Sequence, residues 1–227
     1  MKTIENTTSD LVTVVTVVFN SEDLIEDTIT SVLEQSYNKN IEYIIIDGGS
    51  TDSTLEIIQK YKNGIDLIVS EKDEGIYDAM NKAIRLATGK WINFMNAGDH
   101  FYDRAIVSKI FSTSENSDID VIYGNNNYIK DEDVIFQETR ALSSFYRGMP
   151  FNHQSCFVKT LIMKENLFPS GVYQIQCEYY QLYKLYMDGK KFLKVNIIVA
   201  EYLADGFSDR NFIPRTIERW LINERFP

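Results

Sequence analysis

The sequence predicts an α/β fold: a mostly parallel central sheet flanked by helices, followed by a less regular C-terminal half. Three observations carry that expectation. Through residues 11–95, short runs rich in Val and Ile alternate with stretches whose apolar residues recur at helical spacing. The short runs lack polar alternation, as expected of strands covered by helices on both faces. The order strand, helix, strand, helix, strand, helix, strand then requires a parallel sheet with right-handed crossovers.

Residues 11–19, dense in Val and Thr, form the first strand. Ile25, Ile29, Val32 and Leu33 share one face of the helix that follows, and Glu22, Asp23, Glu26 and Asp27 load its first turns with negative charge. Residues 43–46 make the second strand and run into Asp47-Gly48-Gly49-Ser50-Thr51-Asp52. A helix with Leu55, Ile58 and Tyr61 on one side comes next. Ser53 and Glu56 have capping-box spacing, with Thr51 or Asp52 as alternative caps. Residues 66–69 form the third strand. Ile76, Met80, Ala83, Ile84 and Ala87 then mark the inner face of the third helix, with Gly89 as its stop. Residues 91–95 are the fourth strand, ending in Asn96-Ala97-Gly98-Asp99.

Short strands are expected at 121–124, 134–136 and around Phe157 and Val158. Residues 178–187 form an amphipathic helix, 192–200 one or two strands, and 215–222 a last helix with Pro214 at its start. No repeat or linker divides the 227 residues, so the halves share one domain.

Composition narrows the function. Asp plus Glu number 33 against 23 for Lys plus Arg, a net charge of −10, which disfavours nucleic acid as a partner. The two cysteines, Cys156 and Cys177, fit buried thiols in a reducing compartment. The N-terminal stretch MKTIENTTSD has no signal-peptide pattern, and no run approaches the ~20 apolar residues of a membrane span. The expectation is a cytoplasmic protein.

Ligands of open parallel sheets bind at the carboxyl ends of the strands. Those ends carry Asn20, Asp47, Asp73, and Asn96 with Asp99. A single Asp after a strand is ordinarily a turn former or helix cap; four polar or acidic strand ends on one rim are a pattern. Neither GxGxxG nor GxxxxGK[ST] is present, so neither a dinucleotide fingerprint nor a P-loop applies. An acidic rim holds a diphosphate only through Mg²⁺ or Mn²⁺, which leads to a metal-bridged nucleotide-diphosphate site.

TVVFN at 16–20, IIIDGGSTDST at 44–54, SEKDEGIYDAMNKAI at 70–84 and GKWINFMNAGDHF at 89–101 together resemble glycosyltransferase family 2, in the branch that builds bacterial capsule, exopolysaccharide and lipopolysaccharide sugars. The resemblance implies a GT-A, Rossmann-like fold, with residues 1–105 as the nucleotide-sugar-binding half and 106–227 as the acceptor-binding and catalytic-base half. It places Phe19 and Asn20 around the nucleoside, Asp47 near the base and Asp73 near the ribose or donor sugar. The NAGD segment stands at the metal-binding DxD-type motif, keeping its last acid as Asp99, with Asn96 in place of the first. Gly48 replaces the second acid of the usual aspartate pair.

The inverting chemistry implied needs a base for the acceptor hydroxyl. Glu178 stands at the family's base position; its bland alternative is a first-turn acid that complements the helix dipole. His153 and Gln154 would line the acceptor side, or His153 is simply a buried, bonded histidine. His100 follows Asp99 and either approaches the metal or sits in an exposed loop. Tyr173, Tyr179 and Tyr180 offer sugar-stacking faces or packing, whereas Tyr183 and Tyr186 are expected to pack. Residues 205–210 form a flap or a surface loop, with Arg210 or Arg215 facing the diphosphate in the first case.

The expected partners are a nucleotide-diphospho-sugar donor, UDP-linked, and a saccharide or lipid-linked saccharide acceptor. Mn²⁺ or Mg²⁺ is the expected cofactor. Any membrane contact would be peripheral, at the inner face, through residues 215–225. A nucleotidyltransferase is disfavoured by the acidic Asn20-Ser21-Glu22-Asp23. A non-catalytic nucleotide-sugar-binding or scaffolding subunit is the alternative that Asn96 and Gly98 keep open.

Overall fold

The computed structural model describes residues 10–111, 118–130, 133–204 and 212–226. Strands β1 (Val12–Val18), β2 (Ile41–Asp47), β3 (Leu67–Ser70) and β4 (Trp91–Phe94) lie parallel, as the sequence predicts, and their order is β3-β2-β1-β4. Side chains of β1 show why it is apolar throughout. Val12, Val14 and Val18 enter one core, Val15 and Val17 the other. That two-residue period puts helices on both faces.

Helices α1 (Ile25–Leu33), α2 (Thr54–Lys60) and α4 (Ile106–Phe111) cover one face with Ile25, Ile29, Val32, Ile58 and Ile110. Helices α3 (Ile76–Leu86), α5 (Thr160–Glu165), α6 (Cys177–Met187) and α7 (Phe212–Arg225) cover the other with Met80, Ile84, Met163, Leu182 and Ile222. The inner face of α3 begins with buried Tyr77, and Ile76 is only partly buried.

Beyond β4 the sheet becomes mixed. It continues through β8 (Cys156–Lys159), β6 (Val121–Lys130), β9 (Phe192–Leu203) and β5 (His100–Phe101), with β7 (Asp133–Gln137) also paired to β6. Strand β8 is antiparallel to both β4 and β6, whereas β6 and β9 are parallel. The 192–200 stretch is one strand, with register irregularities opposite Tyr123–Asn126. Strand β6 runs past 124 through Asn125, Asn126 and Asn127. Asn is a poor strand former, but here buried amides bond across the sheet: Asn126 Nδ2 to Gln137 Oε1 (3.2 Å) and Asn127 Nδ2 to Glu201 Oε1 (2.7 Å).

Two local signals resolve differently from their sequence reading. Asp52, one of the three possible caps, accepts the Thr54 N–H on Oδ1 (3.0 Å), while Ser53 makes no side-chain cap bond. Gly89 does not stop α3, whose C-cap is Ala87. Its lack of a side chain serves packing: a Cβ there would stand 2.6 Å from the Thr13 backbone nitrogen.

Candidate active site

The parallel register brings the strand ends level. Val18 lies beside Asp47, and Asp47 beside Ser70. Asp47 is fully buried, and hydroxyls fill both its oxygens: Ser50 Oγ donates to Oδ1 (2.5 Å) and Ser70 Oγ to Oδ2 (2.6 Å). Ser50 Oγ also accepts the Asn20 N–H (2.8 Å), and Asn20 Oδ1 accepts the Thr51 N–H (2.9 Å). Asn20 reaches that position with φ of 46°, in the left-handed region that Asn tolerates better than most residues. The loops after β1 and β2 are thereby laced into one rim, with Asp47 as the knot beneath it.

Above the knot, Phe19 is 60% exposed. A Cβ at Gly48 would lie 3.5 Å from Phe19 Cδ2 and 3.2 Å from Asp73 Oδ2, so the missing side chain leaves a gap between them. Asp73 has a side chain only 7% exposed; its Oδ1 accepts from Lys82 Nζ (2.5 Å), while Oδ2 is buried without a partner. Burial pushes the Asp73 carboxyl up against the pull of Lys82. Lys82 also meets Glu71 (2.7 Å) and Asp78 (3.4 Å), and its bonds to Asp73 and Glu71 push its ammonium pKa upward. An orphaned buried acceptor costs free energy until a ligand donor meets it.

The turn after β4 is held by α1. Buried Thr28 donates through Oγ1 to the Asp99 carbonyl (2.8 Å) and accepts the Gly98 N–H (3.0 Å). Gly98 has φ of +97°, which only glycine adopts readily. Gln154 Nε2 donates to Asp99 Oδ2 (3.0 Å); burial nonetheless pushes this carboxyl up to about 7. The adjacent Asn96 Oδ1 is buried without a partner, and Asn96 Nδ2 lies 3.3 Å from His153 Nε2.

His153 links this turn to Glu178. With Asn96 Nδ2 donating to Nε2, the imidazole proton sits on Nδ1, which lies 3.8 Å from Glu178 Oε1. Burial lowers the His153 pKa despite the nearby Glu178 charge, so the ring is neutral at pH 7. Glu178 occupies the first turn of α6 and accepts a short hydrogen bond on Oε2 from the Tyr77 hydroxyl of α3. Tyr77 is itself held protonated far above the usual phenol range by burial and by the Glu178 charge. Behind this carboxylate lies a cavity of about 20 Å³, room for roughly one water, lined by Phe94, Phe168 and Leu182 among others.

Two groups of expected site residues therefore assemble. Phe19, Asn20, Asp47 and Asp73 gather at the first three strand ends; Asn96, Asp99, His153, Gln154 and Glu178 gather beyond the fourth. Tyr77 and Thr28 were missed as site residues, although Tyr77 was legible as the aromatic within the EGIYDAM stretch. His100 turns elsewhere: its Nε2 lies 3.0 Å from Glu201 Oε2 across the β5–β9 ladder. Tyr173, Tyr179 and Tyr183 are buried. Phe145 stacks on Tyr179, Tyr183 and Tyr186, so most of this aromatic excess is packing. The 205–210 stretch, with Arg210, lies outside the described residues, and Arg215 belongs to α7.

Known proteins resemble this chain in sequence and in fold. The chain is 31% identical over 133 residues to a PGL/p-HBAD biosynthesis glycosyltransferase of Mycobacterium tuberculosis, covering 57% of this chain and 47% of that protein. It is 34% identical over 128 residues to the Escherichia coli UDP-Glc:alpha-D-GlcNAc-diphosphoundecaprenol beta-1,3-glucosyltransferase WfaP, covering 56% and 49%. The chain thus spans about half the length of the curated relatives it matches. S. aureus TarS 1-349 in complex with UDP superposes with a TM-score of 0.72 at 21% identity, over 85% of this chain and 60% of that one. The Pyrobaculum calidifontis mannosyltransferase PcManGT, in complex with GDP-Man and Mn²⁺, gives 0.71 at 18% over 96% and 64%. The fold is GT-A. Because the match to glycosyl transferase family 2 runs over residues 13–168, across every rim loop and the His153-Gln154 pair, the chain belongs to that family.

Proposed function

We propose that this chain is an inverting glycosyltransferase that moves a sugar from a nucleotide-diphospho-sugar, UDP-linked, to a saccharide or lipid-linked saccharide in bacterial cell-surface polysaccharide biosynthesis. One observation carries the reading. A carboxylate from the first turn of α6, Glu178, meets the Asn96–Asp99 turn through His153, so a base stands beside the donor rim.

In this reading Phe19 and the orphaned Asp73 Oδ2 receive the nucleoside, and Asn20 and Asp47 shape the loop beneath it. Glu178 takes the proton of the acceptor hydroxyl. As that oxygen forms its bond to the anomeric carbon, the bond to the diphosphate breaks on the opposite face and its electron pair leaves with the nucleotide. The Tyr77 hydroxyl holds Oε2 by a hydrogen bond, His153 Nδ1 stands 3.8 Å from Oε1, and Gln154 fixes Asp99.

Among the described residues, no group of three His, Cys, Asp or Glu converges on a metal position. The residues fit a divalent ion that takes most of its ligands from the donor: Asp99 would supply a carboxylate and Asn96 its orphaned Oδ1. When bound, the ion neutralises charge on the leaving diphosphate. The naming of UDP follows the UDP complex of TarS and the UDP-Glc donor of WfaP, whose lipid-linked acceptor also motivates the acceptor class. No helix among the described residues is long and apolar enough to cross a membrane. The exposed Ile213, Ile217 and Trp220 of α7 are the proposed peripheral contact with a lipid-linked acceptor.

The test is calorimetric titration with UDP, GDP and dTDP in Mn²⁺ and then in EDTA, alongside Asp99→Ala. Metal-dependent binding of UDP that weakens at least about tenfold in the variant is the expected result. A folded protein that binds none of the three overturns the transferase reading and favours the scaffold.

A further inference from the structure

Helix α7 reaches across to the segment that launches Glu178. The Glu218 carboxylate accepts three consecutive backbone N–H groups: Gln174 on Oε1 (2.7 Å), and Ile175 (3.0 Å) and Gln176 (2.9 Å) on Oε2. These are the last three residues before α6, whose N-cap, Gln176, makes no side-chain cap bond of its own. A second tie lies just beyond Glu178. The Tyr179 hydroxyl meets Asn223 Oδ1 (2.5 Å), and Asn223 Nδ2 donates to the Tyr146 carbonyl (2.8 Å). Ile222, between the two tying positions on α7, is fully buried in the same core as Tyr179.

The chain is thus held on both sides of Glu178 by side chains from one distant helix, through backbone N–H groups at 174–176 and through the Tyr179 hydroxyl. A three-donor nest closed on a carboxylate fixes φ and ψ through the strap, which sets where the first turn of α6 begins. The Glu178 carboxylate inherits that setting, because it projects from the second residue of the helix. We infer that Glu218 is a positioning residue for the reaction, holding the α6 start so that Glu178 faces the acceptor hydroxyl beside the donor. The inference rests on the assignment of Glu178 as base.

The distinction from mere structural support lies in coupling. Glu218→Ala frees the strap, and a displacement of about 1 Å at a reacting group costs up to about 100-fold in rate. Donor binding is assigned to the loops that carry Phe19 and Asp73, not to the strap, and stays unchanged. The experiment measures nucleotide release from UDP-glucose, with water as acceptor, for the wild type, Glu218→Ala, Glu218→Gln, Glu178→Gln and the double variant Glu178→Gln/Glu218→Ala. UDP affinity is followed by calorimetry for each. The expected result is a kcat loss of about 10–100-fold in Glu218→Ala, a smaller loss in Glu218→Gln, unchanged UDP affinity, and no further loss in the double variant.

Equal losses from Glu218→Ala with and without Glu178 overturn the positioning role, as does full activity of Glu218→Ala when Glu178→Gln is inactive. Full activity of Glu178→Gln instead overturns the base assignment, a failure that reads differently from the other two. Should Glu218→Ala not fold, Glu218→Gln, which keeps one acceptor oxygen, decides by the same coupling.

Discussion

The two ends of the site are built by opposite means. At the donor rim, functional side chains sit on loops directly after parallel strands, and their fastenings join loops about 30 residues apart, as in Asn20 to Thr51 and Ser50. At the base, each contact spans much more chain: Gln154 to Asp99 over 55 residues, Asn96 to His153 over 57 and Tyr77 to Glu178 over 101. The proposed donor rim is thus a property of three adjacent βα units, whereas the proposed base meets its partners only once both halves have packed. Changes at the rim and at Asp99 should move donor affinity, and changes at Glu178, Tyr77 and His153 should move turnover.

The sharpest test of that division is Glu178→Gln, which removes the proposed proton acceptor while keeping size and hydrogen-bonding shape. Turnover should fall about 10²–10⁴-fold with UDP affinity held, read by steady-state kinetics and calorimetry. A parallel rise in UDP dissociation constant would erase the proposed boundary between the two regions. Next in size is Asp73→Ala, which takes the orphaned acceptor from the rim and leaves Lys82 with Glu71 and Asp78. UDP affinity should weaken about tenfold, the weight of one charge-assisted hydrogen bond, and thermal stability should hold because Asp73 carries a desolvation cost of its own.

A stability probe separates scaffold from site. Gly89→Ala pushes a Cβ into the Thr13 backbone at 2.6 Å and should cost about 1–3 kcal/mol, read as a lower denaturation midpoint. Catalysis by the remaining folded fraction should be unaffected.

The smallest effect concerns pH. Burial alone would raise the Glu42 carboxyl, but donors from Thr13, Thr88 and Gly89 outweigh it and hold the pKa below its usual value. A depressed folded-state pKa contributes stability that is present above the unfolded value of about 4.3 and lost as pH falls through the folded one. Glu42→Gln should therefore flatten the acid limb of the stability curve in denaturant titrations at pH 3 to 6, while leaving donor binding at neutral pH untouched.

How much was legible in advance follows the same division. Phe19, Asn20, Asp47, Asp73 and Asp99 could be placed because each follows a strand whose apolar run is unmistakable. The extension of β6 through Asn125–Asn127 could not, since its amides are satisfied by Gln137 and Glu201, partners that no local pattern announces. Tyr77 was not placed on the inner face of its helix, and only the packing of α6 gives its hydroxyl a carboxylate. Glu218 carries no motif of its own, and only the strap at 174–176 that closes on it shows its use.

What the sequence determined by itself is the parallel sheet, the polarity of its rim and the membership those motifs imply. Hydrophobic period and turn chemistry are local, and a chain cannot bury Val12–Val18 on both faces in many ways. Tertiary structure decided which acids are free to act. Asp47 was knotted by two serines, Asp73 was left with one bare oxygen, and Glu178 was aimed by Tyr77, His153 and α7. Hydrogen-bond satisfaction is a sum over everything that packs nearby, and residues distant in the chain enter that sum only when the fold closes.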